Sequence, residues 1–534
     1  MNKKITIWIL LGILLLAFAV RLQNIDGPVV GYHNWKETHY LTEARNFARD
    51  GFFKHGFFVP AHDYPGINGD PSGAHPDTFP TTSIVVGVLF QIFGQSLVVA
   101  RLFGVFCIIG AIFFAYKLVM LLFDNEYYAL LTAGLMAFNP LSWFFSRSVQ
   151  LINPALFFMV AGTYFTLSYI YKSKNKLAHL TVGAICLMLS ILTKYYFALI
   201  VFPIGVIFLL NIKKVIADWK LFILPGLIGL LIPLWHFYTL SLDFGKVAGD
   251  VTTEIVKINF ATVFSSEFLR MFKVFLGENF TFFGVALFMG GIFWIIYFLV
   301  ANFKEAKNYE GLIFILAYFI ITIPWIVVMA EKLQGHNYHQ YPLILLFALA
   351  VGYLLLKFSV WLSKITSNLG IDKITSPQVY MIIFLCVLSI PSYFSAQNMY
   401  NVQFWGLEEA GRYIQTHGGG NVWFPSHQSY GVLWHADVKG YTYPNDVETM
   451  IQIEAERDVK WFFAYQWGLQ TIMDKPWLAT YLNETYNLVQ AGTLNGQVFY
   501  YLFTKDQIRK AELFPVKDLI YPGMEPGMLI QINE

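Results

Sequence analysis

Glu37, Glu43, Asp50, Asp63, Asp70 and Asp77 share one polar stretch with His33, His39, His55, His62 and His75. Such groups can take a proton from an attacking hydroxyl, or hold a divalent cation against a phosphate. Imidazole mixed with carboxylate suits zinc or manganese better than magnesium. A water-facing loop also carries acids and histidines for solvation alone, so position must discriminate among them. Glu37 stands three residues before Tyr40, and Tyr40, Ala44, Phe47 and Ala48 recur at helical spacing. This predicts a surface helix with Glu37 near its start. Asp77 stands just before Phe79-Pro80, where the chain turns apolar again. Both carboxylates are expected at the level of a membrane surface, where a lipid phosphate lies.

The chain that positions these groups is 56% hydrophobic, 18% aromatic and 13% charged, against about 25% charged in soluble domains. Apolar runs near twenty residues recur over the first three quarters, each long enough to cross about 30 Å of hydrocarbon. The fold class expected is a polytopic α-helical membrane protein. Lys172, Lys174 and Lys176, then Lys213, Lys214 and Lys220, then Lys304 and Lys307, then Lys364 and Lys373 fall in four short loops. Placing all four inside follows the positive-inside rule. It yields about eleven transmembrane helices, near 5–21, 99–121, 127–145, 154–172, 178–194, 196–211, 221–240, 280–302, 311–330, 341–361 and 378–395. Residues 79–93 are then a helix dipping into the outer interface. Lys3, Lys4 and Ala17-Phe-Ala19 have the shape of a cleavable signal peptide or of an uncleaved anchor, and either delivers the next loop outside.

Three external regions follow: a large first loop at 22–98, a second at 241–279, and a tail from about 396. The domains expected are therefore 1–395, with the spanning helices, and 396–534. The tail alternates, with helices predicted at Glu408–Thr416, Val447–Arg457 and Pro476–Tyr486. Strands are predicted at Asn421–Pro425, Val459–Ala464, Tyr486–Val489 and Gln497–Phe503. That is the pattern of a small α/β domain. Gly418-Gly-Gly420 is a turn, and no phosphate-binding glycine loop is present. Cys107, Cys186 and Cys386 lie inside apolar runs, so neither a disulfide framework nor a thiolate metal site is expected. The net charge of +2 gives no sign of a nucleic-acid partner.

Tyr32-His-Asn-Trp-Lys-Glu-Thr-His-Tyr40 through Ala44-Arg-Asn-Phe-Ala48 resembles the first external loop of the GT-C glycosyltransferases. The likeness is nearest to the branch of protein O-mannosyltransferases and the lipid A aminoarabinose transferase. His75-Pro-Asp-Thr-Phe-Pro80, Leu89-Phe-Gln-Ile-Phe-Gly94 and Ala100-Arg-Leu102 are similar to the next element. Ser146-Arg-Ser-Val-Gln-Leu-Ile-Asn-Pro154 resembles the second external loop, Leu192-Thr-Lys194 a lysine-bearing span end, and Gln334 to Pro342 a late external loop. The order holds over roughly 400 residues. There are departures. The family's usual Asp-Glu pair is Lys36-Glu37 here, and Asn153 replaces the usual acid of the second loop. His33-Asn-Trp-Lys-Glu37 resembles a His-x-Trp-Arg-Gln variant of the loop.

The resemblance implies transfer of a sugar from a polyprenyl-phosphate carrier to a hydroxyl of a protein, glycolipid or glycan on the external face, with inversion. It implies an uncleaved first helix in a multi-pass cell (cytoplasmic) membrane protein, with site and tail outside. The catalytic base lies between Glu37 and Asp77, with His33 a contributor. Tyr40, His75, Arg147, Gln150, Asn153, Lys194, His336, Tyr338, His339 and Tyr341 become candidate substrate-binding residues, with Arg147 and Lys194 facing the phosphate. No cofactor is required by this reading; if a divalent cation is used, Glu37, Asp77 and His75 are its candidates. Lys194 reads equally as a snorkelling lysine, and Asn153-Pro154 as a helix cap. Trp423, His427, His435 and Trp467 in the tail suit an acceptor sugar or ordinary packing, and Glu254 and Glu267 a cover over the site. The rival class is a transporter or lipid flippase, which would place ionisable groups mid-membrane and show repeats with broken helices. Another is an assembly protein, which leaves the loop groups unexplained.

Overall fold

The computed structural model describes residues 3–506 apart from 173, 243, 245–259, 370–375, 425, 466–471, 473 and 495–496, together with 514–515 and 528–531. The chain forms two compact units. One comprises Met1–Ile25, Asp77–Thr82 and Ser96–Tyr400, and the other Asp26–Pro76, Ser83–Gln95 and Asn401–Glu534. Whereas the sequence groups 22–98 with the spanning helices, the folded chain groups most of that loop with the C-terminal sheet. Glu254 and Trp467 lie outside the described residues.

The first unit is helical. Eight of its described helices are long and apolar enough to cross a membrane: Leu97–Phe123, Ile152–Tyr171, Lys176–Thr193, Trp219–Leu240, Phe282–Ala301, Glu310–Val328, Leu343–Asn368 and Pro377–Tyr400. Each matches one of the eleven expected. The other three take shorter forms. The first helix runs Lys3–Val20. Tyr195–Leu210 is a shorter apolar helix. The expected 127–145 run is divided into Glu126–Ala137 and Pro140–Phe145. Pro140 has no N–H to continue a ladder, and Asn139 caps the second piece by accepting from the Ser142 N–H at 3.1 Å. The chain is a multi-pass membrane protein.

Polar loops sort to two ends of this bundle. At one end Lys176 pairs with Asp218 at 2.7 Å, Lys214 donates to the Ile170 carbonyl at 2.6 Å, and Asn211 donates to Glu310 at 2.9 Å. Thr6 donates to Glu126 there at 2.6 Å. Three of the basic loops therefore share an end, as their charge predicts. Helix Lys176–Thr193 carries the chain to the opposite end, where the Thr193 and Thr81 hydroxyls bond at 2.5 Å. Close approach there relies on Gly104, whose added Cβ would stand 2.5 Å from the Ser146 carbonyl and 2.9 Å from Asn153 Nδ2.

The second unit is built on a seven-stranded sheet, ordered β2-β1-β3-β5-β4-β7-β6 among the described residues. Its strands are β1 (Asn421–Phe424), β2 (Gly440–Thr442), β3 (Val459–Tyr465), β4 (Asn487–Leu494), β5 (Gln497–Thr504), β6 (Phe514–Pro515) and β7 (Met528–Gln531). β1 pairs in parallel with β2 and β3, with Trp423 opposite Tyr441 and Phe462. The remaining pairs are antiparallel, Phe462 facing Phe503 across β3 and β5. Side chains alternate along β3, so Trp461, Phe463 and Tyr465 enter one core with Leu407, Ile414 and Leu502. Phe462 and Ala464 enter the other with Met450, Leu478 and Tyr486. A strand covered on both faces reads as an unbroken apolar run, which is why Val459–Ala464 is so legible. Helix Leu407–Thr416 lies on the first face, and Val447–Arg457 and Pro476–Thr485 on the second. Gly418, Gly419 and Gly420 all have positive φ, and the Gly419 N–H closes the preceding helix on the Ile414 carbonyl at 3.1 Å.

Glu454 holds the second face together. This buried carboxylate accepts from Trp423 Nε1 at 2.9 Å and from the Tyr481 and Tyr486 hydroxyls at 2.5 Å, and it pairs with Lys505. Glu454→Ala removes the shared acceptor of three buried donors and is expected to cost the unit about 3–5 kcal/mol. Thermal unfolding in detergent followed by tryptophan fluorescence measures this. In the other unit Gly104→Ala is expected to cost about 1–3 kcal/mol, read as a lower melting temperature of the helical bundle by circular dichroism.

Candidate active site

The end of the bundle away from the basic loops is a buried polar layer. Asn153 lies in the first turn of helix Ile152–Tyr171 and is fully buried. Its Nδ2 donates to the carbonyls of Phe145 at 2.9 Å and Ser148 at 3.1 Å. Its Oδ1 accepts from the Tyr341 hydroxyl at 2.6 Å. An amide, with both donors and an acceptor, can fix a turn of carbonyls and a hydroxyl together, which a carboxylate cannot. This accounts for asparagine here. Arg147 donates to the Asn24 carbonyl at 2.8 Å, and its guanidinium lies 4.6 Å from the Tyr400 ring centre.

The re-entering segment Asp77–Thr82 is pinned to the same layer. The Phe79 N–H donates to the Leu192 carbonyl at 3.1 Å, and the Thr82 hydroxyl to that of Gln150 at 3.2 Å. Asp77 and Lys194 therefore belong to neighbouring stretches of chain, both half-buried. Tyr196 links them to the late loop, its ring 5.3 Å from His339. Tyr338 packs 5.9 Å from Phe145 and stacks on His336 at 5.3 Å. Asp77, Arg147, Gln150, Asn153, Lys194, His336, Tyr338, His339 and Tyr341 thus gather at one end of one unit. Beside them Asn279 donates to Asn337 O and Gln340 Oε1, both at 2.9 Å. Phe280, the next residue, lines an apolar cleft of about 190 Å³ with Phe272, Leu276, Phe288, Phe319 and Leu346.

Glu37, His33, Tyr40 and His75 belong to the other unit. The predicted helix is present as Asn34–Asp50, with Glu37 in its first turn and Tyr40, Ala44 and Phe47 buried. His33 precedes it with φ 57°, a left-handed conformation rare in a side-chain-bearing residue. Its carbonyl accepts the Lys36 N–H at 3.0 Å. The helix is buried on more than its apolar face, since Glu43 and Arg45 are also enclosed. Arg45 pairs with Asp63 at 2.5 Å and Asp437 at 3.0 Å, so Asp63 is a structural counter-ion and not a solvated loop acid. Asp50 pairs with Lys54 at 2.9 Å, and Asp70 accepts from the Ser72 N–H at 2.7 Å in a turn.

Of the three groups considered for a cation, only His75 joins a described set with ion-holding spacing, and its companions are His39 and Glu43. His62 lies beside it, its ring centre 4.4 Å from that of His75. Burial, with His75 and His39 nearby, pushes the His62 imidazole well below the usual histidine range and keeps it neutral. In the tail, Trp423 serves the Glu454 network, and His435 Nε2 accepts the Val29 N–H at 3.2 Å. His427 packs edge-on to Trp35 at 5.1 Å. Glu267 starts helix Ser266–Phe280 and is exposed.

Sequence reasoning missed Arg21 and Arg101 as individual groups. Both are buried in the same layer: Arg21 donates to Ser142 Oγ at 3.1 Å and Arg101 to the Ile25 carbonyl at 3.1 Å. The usable signal was an arginine at the edge of an apolar run with no second charge adjacent to it.

Residues 11–264 match the family described as dolichyl-phosphate-mannose-protein mannosyltransferase. No curated protein sequence matches the chain. Among solved structures, the chain is similar to ArnT from Cupriavidus metallidurans bound to undecaprenyl phosphate, with a TM-score of 0.61 and 12% identity. That match covers 97% of this chain and 99% of ArnT. The apo state of ArnT gives 0.59 and 13%, covering 94% and 99%. The archaeal oligosaccharyltransferase AglB from Archaeoglobus fulgidus, in complex with an inhibitory peptide and a dolichol-phosphate, gives 0.55 and 11%, covering 92% and 74%. The chain thus shares the fold of ArnT and AglB, and its residues 11–264 match the mannosyltransferase family.

Proposed function

We propose that this protein transfers a sugar from a polyprenyl-phosphate carrier to an acceptor hydroxyl on the external face of the cell membrane, with inversion at the anomeric carbon. The observation that carries the reading is that one unit holds Asp77, Arg147 and Lys194 and also an apolar cleft lined by Phe280, the residue after the Asn279 that bonds the late loop. A polyprenyl phosphate needs both halves of that arrangement, an oily groove and cations for its headgroup. The likeness to ArnT, whose structure holds undecaprenyl phosphate, supports it.

In this reading Arg147 offers a planar fork to the phosphate and Lys194 a point charge, both stabilising the negative charge that grows as the carrier leaves. A carboxylate takes the proton of the acceptor hydroxyl as the sugar's anomeric carbon is attacked from the face opposite the departing phosphate. The carboxylate is Asp77 or Glu37. Asp77 is favoured, because it stands in the same compact unit as both cations, whereas Lys36 occupies the position where the family usually carries its aspartate. Asn153 then positions the loop of Arg147 without touching a proton. The acceptor is a protein, glycolipid or glycan hydroxyl.

The test is transfer of radiolabelled sugar from a panel of polyprenyl-phosphate donors in proteoliposomes. Asp77→Asn is expected to lower turnover by about 100- to 10,000-fold with donor binding retained. Arg147→Gln is expected to weaken donor binding and turnover together. If Glu37→Gln alone loses turnover, the base is Glu37. Movement of intact lipid with no donor consumed would sink the transferase reading and favour a flippase.

A further inference from the structure

Glu43 is the hub of a side-chain cluster that the transferase reading does not use. His39 lies one helical turn before it and places Nε2 2.9 Å from Glu43 Oε1. His75 arrives from a different stretch and places Nε2 3.5 Å from the same oxygen. One ligand atom from each of the three lies within 4.8 Å of the others, and all three residues are buried. Bonds of about 2.0–2.1 Å in a tetrahedral zinc site separate neighbouring ligands by about 3.3 Å, a value that the two measured separations bracket.

The surroundings are those of metal ligands too. The Tyr64 hydroxyl engages the far nitrogen of His39, and Ser83 Oγ donates to the second oxygen of Glu43. Outer partners of this kind fix the tautomer of a ligating histidine and the orientation of a ligating carboxylate. His75 is held by a short antiparallel bridge, its N–H on the Pro60 carbonyl at 3.0 Å and that of His62 on the Gly73 carbonyl at 3.1 Å. Gly73 has φ +82°, and a Cβ there would collide with the His62 carbonyl, so the bridge fits glycine only. His75 is 7% exposed.

We propose that His39, Glu43 and His75 bind a zinc-class divalent cation, which pins helix Asn34–Asp50 to the 60–75 segment. Two imidazoles and one carboxylate are a borderline-soft donor set, suited to zinc and disfavouring magnesium and calcium. Three protein ligands leave a position for water. The ion is structural: it fixes the helix whose first turn carries Glu37. The inference does not depend on whether the chain transfers sugar.

The test uses the full chain in detergent, stripped with a chelator, dialysed, and then offered Zn²⁺ alone. Elemental analysis is expected to find one zinc per chain, with a melting temperature raised by about 2–4 °C. Co²⁺ is expected to give the visible absorption of a low-coordinate nitrogen and oxygen site. His75→Ala and Glu43→Gln are expected to weaken zinc binding by at least about 100-fold. Asp50→Asn, on the same helix in an exposed pair with Lys54, keeps full stoichiometry. A stripped wild-type chain that takes up no zinc overturns the proposal, and that arm needs no variant to fold. So does zinc bound with unchanged affinity by folded His75→Ala, which would place the ion elsewhere.

Discussion

An apolar bundle cannot end abruptly. Where its helices stop, N–H and C=O groups lose their ladder partners in surroundings that supply little water, and each must be met by something else. Asn153 is this protein's principal answer. One amide side chain gathers the carbonyls of the 145–148 turn and holds the Tyr341 hydroxyl, thereby joining the second loop to the late one. Arg147 is carried by that turn, Gln150 receives the re-entering segment on its carbonyl, and Thr81 ties that segment to the end of the Lys176–Thr193 helix. The residues assigned to the phosphate are thus presented by a layer whose first task is to close the bundle. A site made from closure groups is rigid by necessity.

The second unit follows the same physics with a different solution. Its sheet is covered on both faces, and part of the polarity buried in this unit is gathered on charged hubs. Glu454 collects the donors of one face, and Arg45 joins Asp63 and Asp437. Gathering several partners on one charge limits the cost of desolvation, because the same charge serves them all.

What could be read from the sequence follows from where periodicity is strong. Helices Leu407–Thr416 and Val447–Arg457 and strand β3 were legible to within a residue or two, because alternation and turn residues agreed. β2, with three residues, and helix Gly431–Ala436, with six, are too short for any period to register. The 127–145 run was long and apolar enough to suggest a span, but Asn139-Pro140 carried a start signal in its middle. In the site, Asn153 and Lys194 were visible through their likeness to a family pattern. Arg21 and Arg101 were not, since an arginine at a span end looks the same whether it snorkels or is buried. Glu43 could not be separated from Glu37, because which carboxylate meets histidines is decided by the path of residues 60–75.

The division into units has a consequence for how this chain can be cut or rebuilt. The sheet-bearing unit is discontinuous: Val30 sits in its core, and the Phe404 N–H bonds the Val30 carbonyl at 2.6 Å. A gene fragment starting near residue 401 would encode the strands without the Asn34–Asp50 helix that supplies Arg45 to Asp437. A stop codon there would leave that helix without its sheet. The tail is therefore no appendage that evolution or an experimenter can swap as a cassette. Any recombination that preserves it must exchange the first loop and the tail as one inherited piece.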